Sequence, residues 1–199
     1  MNVLVFDYGT GNLHSLRKAL ELQGARVRVG AELEGADAIV LPGVGAFGAA
    51  AARLAPHLEA IRSAAAEGLP VLGICLGMQL LLDGSDEGSG QGLGLVPGRV
   101  ARLRARRVPH MGWNTVHVRG DDPLFAGVEA RRFYFANSFA AVPADQGDIA
   151  ARAEHDGAVF PAALRRGAVT GTQFHPEKSG AAGLRLLRNF LGSAREAAR

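Results

Sequence analysis

The sequence has few of the features that mark secreted or membrane-spanning proteins. It contains one cysteine in 199 residues, so no disulfide can form within the chain, which is typical of a reducing compartment. The longest apolar run, at 71–82, is interrupted by glycine and is too short to cross a bilayer. A strand-like segment begins at Asn2 without a basic leader, so we expect no signal peptide and a cytoplasmic location.

Metal ligands and nucleic-acid-binding patterns are also scarce. The six histidines lack the spacing of a zinc site, and we expect no metal and no cofactor. His14 and His110 lie in loop-rich segments and could face a partner. Five arginines between 99 and 107 have no aromatic residues among them, which favours a solvated strand or hairpin face over a nucleic-acid patch, with a protein-binding surface as a third option. They are Arg99, Arg102, Arg104, Arg106 and Arg107.

Hydrophobic residues make up 48% of the chain, enough for a substantial core, and the length favours one domain over 1–199. In the first part of the chain, apolar strands alternate with helices, which predicts a parallel α/β sheet. These strands are expected at 3–6, 25–29, 36–41 and 70–74, and the helices at 13–23 and 47–67, the latter kinked at Pro56. The polar segment 83–92 is interpreted as a surface loop.

The second part of the chain has a different pattern, in which short strands are separated by turns. They are expected at 95–103, 113–118, 132–139, 149–154, 159–164 and 168–173. The dipeptide Asp156-Gly157 predicts a hairpin turn between two of them. A final helix is expected at 181–197.

The single cysteine lies where a nucleophile would be expected. Cys75 separates a predicted buried strand at 70–74 from a predicted helix at 76–83, and Gly73 and Gly77 flank it symmetrically. Gly-x-Cys-x-Gly in this context resembles a nucleophile elbow, in which the glycines remove side chains that would clash at the sharp turn. An isolated cysteine is more often a small buried hydrophobe, so the interpretation requires a base.

The base is required on energetic grounds. A free cysteine has a pKa of about 8.5, and making the thiolate its major form at pH 7 takes about 2.7 kcal/mol. A helix N-terminus typically supplies only about 0.3–1 kcal/mol. A histidine elsewhere in the chain should therefore assist Cys75.

The segment His175-Pro176-Glu177 offers that histidine. Pro176 favours an extended conformation for His175, and residues two apart in an extended chain point to the same side. Glu177 could then orient the imidazole and stabilise its protonated form. The segment follows a predicted strand, as Cys75 does, so both could meet at the carboxyl edge of a parallel sheet. Standing alone, such a segment is more often a surface turn.

A competing interpretation comes from Gly43-Val44-Gly45-Ala46-Phe47-Gly48, which matches the dinucleotide-binding pattern Gly-x-Gly-x-x-Gly. The pattern follows the third predicted strand rather than the first, and no acidic residue ends the next strand. The loop could instead present backbone N–H groups to a developing anion.

Together, Gly73 to Gln79 and the His175-Pro176-Glu177 segment resemble the class I, triad-type glutamine amidotransferases, and the 100 residues between Cys75 and His175 suit that family. More narrowly, the chain resembles the glutaminase-subunit family of the imidazole glycerol phosphate synthases, over nearly its whole length. The segments that carry this narrower resemblance are 7–15, 41–45, 109–114, 133–135 and 175–179.

The resemblance implies a flavodoxin-like α/β fold with a central, mostly parallel sheet flanked by helices and an added antiparallel portion. It implies that Cys75 attacks the side-chain amide of glutamine, that His175 transfers protons and that Glu177 orients His175. A γ-glutamyl thioester would form and be hydrolysed. The other site residues that it implies serve as oxyanion and substrate contacts, namely Gly43, Val44, Gly45, Leu76, Gln79, Ser138 and Phe139.

The resemblance also implies a partner, a (β/α)8-barrel cyclase subunit that receives the ammonia and makes imidazole glycerol phosphate and AICAR in histidine biosynthesis. Asn12, Trp113 and Lys178 correspond to interface positions. The family often has His where this chain has Asn137, and Tyr where it has Phe139; neither belongs to the triad. The glutaminase of another amidotransferase complex, a stand-alone cysteine γ-glutamyl hydrolase and a non-catalytic relic are the alternatives.

Overall fold

A computed structural model describes the chain over residues 1–9 and 13–197. Its strands, in chain order, are β1 (Asn2–Phe6), β2 (Arg26–Gly30), β3 (Ala38–Leu41), β4 (Val71–Ile74), β5 (Gly84–Ser85), β6 (Gly98–Arg102), β7 (His110–Thr115), β8 (His117–Val118), β9 (Arg132–Asn137), β10 (Phe139–Pro143), β11 (Ile149–His155), β12 (Ala158–Arg166) and β13 (Val169–Thr172). The helices are α1 (Leu13–Glu21), α2 (Phe47–Leu54), α3 (Leu58–Ala66), α4 (Leu76–Leu80) and α5 (Gly180–Ala197).

The central sheet has eight strands in the order β2-β1-β3-β4-β13-β12-β11-β8. The first five are parallel, and β12, β11 and β8 extend the sheet in antiparallel pairing. The predicted fold class, a mostly parallel α/β sheet with an antiparallel portion, is therefore confirmed. That one domain spans 1–199 stays a prediction.

β3 and β4 are apolar along their whole length, and β1 is apolar after Asn2, because helices cover both faces of the sheet. β2 lies at the edge of the sheet and carries the exposed Arg26 and Arg28. Successive side chains of a strand point to opposite faces. Val3 and Val5 accordingly join a core with Leu16 and Leu20 of α1, whereas Leu4 and Phe6 lie in a second core. That second core includes Phe47, Leu54 and Ile61 from α2 and α3.

The expected kink at Pro56 is a complete interruption. Helix α2 ends at Leu54, a single 3-10 turn spans Ala55–His57, and α3 begins at Leu58. Proline has no N–H to donate, and its ring clashes with the carbonyl of the preceding turn. The chain therefore restarts as a new helix that covers the same face of the sheet.

Three predicted segments differ from the structure. The predicted strand 113–118 is two strands, because β7 ends at Thr115 and β8, in a different sheet, begins at His117. The other two differences shape the candidate site. The segment 83–92 is not only a surface loop, because Gly84 and Ser85 are buried and pair in parallel with β6. The predicted strand 132–139 is two strands, since the chain leaves β9 at Asn137 and enters β10 at Phe139. β9 pairs with β7, and β10 pairs with β6 in a separate three-stranded sheet. The hairpin turn at Asp156-Gly157 is confirmed, with φ of 47° and 84°.

Candidate active site

Cys75 lies in a strained turn between β4 and α4. Its φ of 53° and ψ of −104° fall outside the conformations that a side-chain-bearing residue normally adopts. Glycine is required on both sides. A Cβ at Gly73 would lie 2.5 Å from the carbonyl oxygen of Gly77, and a Cβ at Gly77 would overlap the carbonyl oxygen of Leu41. The backbone at Cys75 therefore has the geometry of the elbow predicted from the sequence.

The pairing of β4 with β13 brings the two predicted catalytic segments together. Ile74 and Thr172 are register partners, and the Cys75 N–H donates to the carbonyl of Thr172 at 2.6 Å. The chain continues from β13 through Gln173 to His175, whose N–H donates to the carbonyl of Tyr134 at 2.9 Å. Cys75 and His175 therefore meet at the same edge of the sheet, although 100 residues separate them in the chain.

His175 and Glu177 form a buried pair. Their side chains are 2% and 6% exposed, and His175 Nδ1 lies 2.9 Å from Glu177 Oε1. His175 has the extended conformation expected before Pro176, with φ −99° and ψ 97°. Residues Pro176–Lys178 then form a 3-10 turn, so Glu177 reaches the imidazole by a turn rather than by the predicted extended chain. Ser179 Oγ fixes this turn by donating to the carbonyl of His175 at 2.6 Å.

The electrostatics of the pair favour the imidazolium. Burial by itself would lower the pKa of His175, but interactions with the Cys75 side chain and with the Glu177 carboxylate outweigh it and raise the pKa to about 9. His175 Nε2 is buried and has no hydrogen-bond partner within the described parts of the chain. That nitrogen is therefore available to exchange a proton with the thiol and with a substrate.

Gln173 is a site residue that the sequence interpretation missed. It is fully buried, and its Nε2 lies 3.6 Å from Cys75 Sγ, in position to donate to the sulfur. A hydrogen bond to the charged form of a group stabilises that form. The only signal in the sequence is its position two residues before His175 at the end of a strand, where it points to the same side.

A cavity of about 190 Å³ opens at Cys75. Six residues predicted to contact the oxyanion or the substrate line it, namely Val44, Gly45, Leu76, Gln79, Ser138 and Phe139. Gly43 lies behind the cavity, where a Cβ would lie 2.7 Å from the backbone nitrogen of Gly77. A larger groove of about 670 Å³, next to Arg102 and Arg104, contains neither Cys75 nor His175.

Glu87 also lines the cavity, although the sequence predicted only a surface loop at 83–92 and no functional role for this residue. Its Oε2 accepts from the N–H of Phe47 at 3.0 Å, which anchors the carboxylate at the start of α2. On the opposite wall, Gln79 Nε2 donates to the carbonyl of Phe139 at 3.1 Å. Glu87 and Phe139 are 52 positions apart in the sequence, and their segments are brought together because β5 and β10 both pair with β6.

A surface cluster next to the site contains two predicted interface residues. The Trp113 ring packs edge-on against Tyr134 at 6.4 Å, and Lys178 Nζ lies 5.8 Å from the centre of the Tyr134 ring. Trp113 is 52% exposed. Lys178 directly follows Glu177, so this cluster is connected to the His175 turn. Asn12, the third predicted interface residue, lies outside the described residues.

The chain is similar to known proteins over nearly its whole length. Residues 4–194 match the profile of the family described as glutamine amidotransferase class-I. The chain belongs to the class-I glutamine amidotransferase family. Within that family, the present chain is 48% identical to the imidazole glycerol phosphate synthase subunit HisH of Halobacterium salinarum. The match covers 96% of the present chain and 92% of the relative. The present chain is 47% identical to the HisH subunit of Geobacillus kaustophilus, over 96% of both chains. The predicted resemblance to this subunit family is confirmed.

Solved structures support the same fold at lower identity. A crystal structure described as glutamine amidotransferase superposes with a TM-score of 0.77 at 22% identity, over 96% of the present chain and 98% of the solved one. The structure of PurLQS from Thermotoga maritima gives a TM-score of 0.74 at 23% identity, again over 96% and 98% of the two chains. At these identities the likeness concerns the fold alone.

Two further observations concern the described residues only. None of their helices is both long and apolar enough to cross a membrane. Within the same residues, no group of three or more His, Cys, Asp and Glu side chains is arranged to hold a metal ion.

Proposed function

We propose that the amidotransferase hydrolyses glutamine to glutamate and ammonia through Cys75, His175 and Glu177. The observation that carries the proposal is the strained cysteine elbow beside a buried His–Glu pair at one sheet edge. His175 takes the thiol proton, and the thiolate attacks the side-chain amide carbon of glutamine. The tetrahedral intermediate then loses ammonia, which receives a proton from His175, and a γ-glutamyl thioester remains. Water activated by His175 cleaves the thioester and releases glutamate.

The cavity residues would bind the substrate around this nucleophile. The backbone N–H of Leu76 and one N–H from the loop at 43–45 would donate to the oxyanion. Glu87 would attract the α-ammonium group of glutamine, because its carboxylate is the acidic group that lines the described cavity. Gln79 and the Ser138-Phe139 backbone would hold the amino-acid end from the other wall. This arrangement is supported by the cavity that Leu76, Gln79, Glu87, Ser138 and Phe139, with Val44 and Gly45 of the loop, share with Cys75.

The curated relatives are named as subunits of a synthase, which implies a partner subunit for this chain. We propose that the partner is a (β/α)8-barrel cyclase that uses the ammonia to make imidazole glycerol phosphate and AICAR. It would contact Trp113, Lys178 and Asn12. The exposed Trp113 supports this surface, since aromatic residues are enriched in interfaces. Because the relatives belong to a biosynthetic enzyme, we also propose a cytoplasmic location.

The direct test is glutamate release by the purified protein, with and without the cyclase from the same cell. We expect hydrolysis that the cyclase stimulates, and we expect a glutamine-mimicking electrophile to modify Cys75. Full turnover without any partner would indicate a stand-alone hydrolase. Failure of the electrophile to label Cys75 would instead indicate a non-catalytic relic.

A further inference from the structure

His110 is buried, although its loop-rich surroundings in the sequence suggested a residue that could face a partner. It is 3% exposed and begins β7, directly opposite Asn137 of β9. Its ring is stacked between Phe135, with centres 4.7 Å apart, and His155, at 4.2 Å. A polar ring buried in this way requires hydrogen-bond partners for its nitrogens.

One ring nitrogen has a partner that defines the tautomer. Asn114 Nδ2 lies 3.3 Å from His110 Nε2 and also donates to the carbonyl of Glu154 at 2.7 Å. Asn114 Oδ1 accepts from the N–H of Thr115 at 2.7 Å, which fixes the orientation of the amide. Nε2 of His110 therefore accepts, and a neutral ring must carry its proton on Nδ1. Burial, assisted by His155, lowers the pKa of His110 to about 4 against the opposing effects of Asn137 and Asp156, so the ring is neutral at pH 7.

The other ring nitrogen faces an equally unpartnered acceptor. His110 Nδ1 and Asn137 Oδ1 are both buried, and neither has a hydrogen-bond partner in the described portion of the chain. The two residues are register partners across β7 and β9, where Cβ atoms lie about 4.5–5.5 Å apart. We propose that His110 is a positioning residue that holds Asn137 through an Nδ1–H to Oδ1 hydrogen bond and thereby shapes the glutamine-binding wall. The inference rests on the proposed function.

Asn137 connects His110 to the substrate cavity. It lines the cavity, and its Nδ2 donates to the carbonyl of Phe139 at 3.0 Å. The same carbonyl accepts from Gln79 Nε2 at 3.1 Å. Asn137 therefore supports, through its Nδ2, the cavity wall that would hold glutamine, and the proposed hydrogen bond from His110 holds its Oδ1. The network reaches Cys75 only indirectly, because Gln79 Nε2 also donates to Gln173 Oε1 at 3.3 Å and Gln173 Nε2 lies 3.6 Å from the sulfur. It does not include the hydrogen bond between His175 and Glu177, so loss of His110 should weaken substrate binding more than the chemical step.

Two substitutions separate the hydrogen bond from the ring packing. His110→Phe keeps an aromatic ring between Phe135 and His155 and removes the donor. His110→Asn keeps a donor near the position of Nδ1 and removes the ring. We expect His110→Phe to raise the KM for glutamine about tenfold, with kcat within twofold, because one buried hydrogen bond is lost. We expect His110→Asn to stay nearer the wild-type KM despite a lower Tm. The exposed His117 provides the matched control, His117→Phe.

The reverse order, with an unchanged KM in His110→Phe and a raised KM in His110→Asn, would overturn the proposal. Histidine ¹⁵N NMR of the wild-type protein tests it without an activity assay. An Nδ1–H tautomer of His110 at pH 7 is expected, whereas an Nε2–H tautomer or an imidazolium would refute it, even if the variants fail to fold. Absence of glutaminase activity in the wild-type complex would count against the proposed function and would leave the NMR test intact.

Discussion

Replacing Glu177 with glutamine tests the proposed triad most directly, because it removes a charge and preserves the shape of the side chain. Glu177 Oε1 lies 2.9 Å from His175 Nδ1, and both side chains are almost fully buried. The amide oxygen of the substituted side chain could still accept from Nδ1–H, so the ring keeps its orientation. What disappears is the negative charge that helps to hold the pKa of His175 at about 9.

The expected loss follows from the strength of that interaction. A hydrogen bond to a charged group contributes about 1.5–3 kcal/mol, and about 1.36 kcal/mol corresponds to a tenfold change in rate. Glu177→Gln should therefore lower kcat/KM for glutamine about 10- to 150-fold at pH 7. The pKa of His175 should fall, because its cation has lost a partner. The high-pH limit of the kcat/KM profile should therefore move to lower pH than in the wild-type protein.

The assay measures glutamate release in the complex with the cyclase, at saturating cyclase and across pH 6 to 10. The cyclase reaction with added ammonia should be unchanged, which shows that the subunits still assemble. Glu59→Gln is a matched control, since the Glu59 side chain is 85% exposed on α3 and forms a surface ion pair with Arg62. If Glu177→Gln retained activity within threefold and its pH profile did not move, Glu177 would not act on His175 as argued.

Three further predictions concern other parts of the fold. Cys75→Ala should abolish glutamine hydrolysis in the complex while the ammonia-dependent reaction continues; residual hydrolysis at the wild-type rate would refute the nucleophile. Gly77→Ala should lower the free energy of unfolding, measured by urea titration, by about 3 kcal/mol or more, since its Cβ would overlap the backbone of Leu41. Gly192→Ala is the control: its Cβ would have open space, so the free energy of unfolding should rise by about 0.5–1 kcal/mol. Because folding lowers the pKa of His110 to about 4, the unfolded chain binds a proton at this residue first as pH falls below about 6.5. The contribution of His110 to stability should therefore fall by up to about 2 kcal/mol between pH 7 and 5, partly offset by His175, whose pKa is raised to about 9. His110→Phe should flatten that dependence, and an equal slope in both proteins would contradict the assignment.

Much of the candidate site is local in the chain, and for that reason the sequence could predict it. Gly73 and Gly77 can be recognised from their spacing around Cys75. The clash that Gly73 avoids is with Gly77 in the same strand–turn–helix unit, whereas the clash that Gly77 avoids is with Leu41 of the neighbouring strand β3 and shows only in the folded structure. Glu177 could be placed beside His175 because only one residue separates them, and the prediction held even though the backbone between them forms a turn. Alternation of apolar strands and helices similarly predicted the parallel half of the sheet.

Other features depended on contacts that no local pattern encodes. His110 was expected in a loop-rich segment from which it could face a partner, yet it lies in β7, opposite Asn137, and is buried. The predicted strand 132–139 is divided at Ser138, because residues 132–137 pair with β7 whereas Phe139 begins a strand that pairs with β6 in a different sheet. Glu87 joins the cavity because Gly84-Ser85 pairs with β6, a contact too short to leave a periodic signal.

The sequence alone predicted the chemistry of the site, because residue type and short-range spacing decide which side chains can act as the nucleophile, the base and the carboxylate that orients the base. The folded structure decided which of them meet. Cys75, Gln173 and His175 become neighbours only because β13 inserts next to β4, and strand order depends on burial across the whole sheet rather than on any segment of the chain.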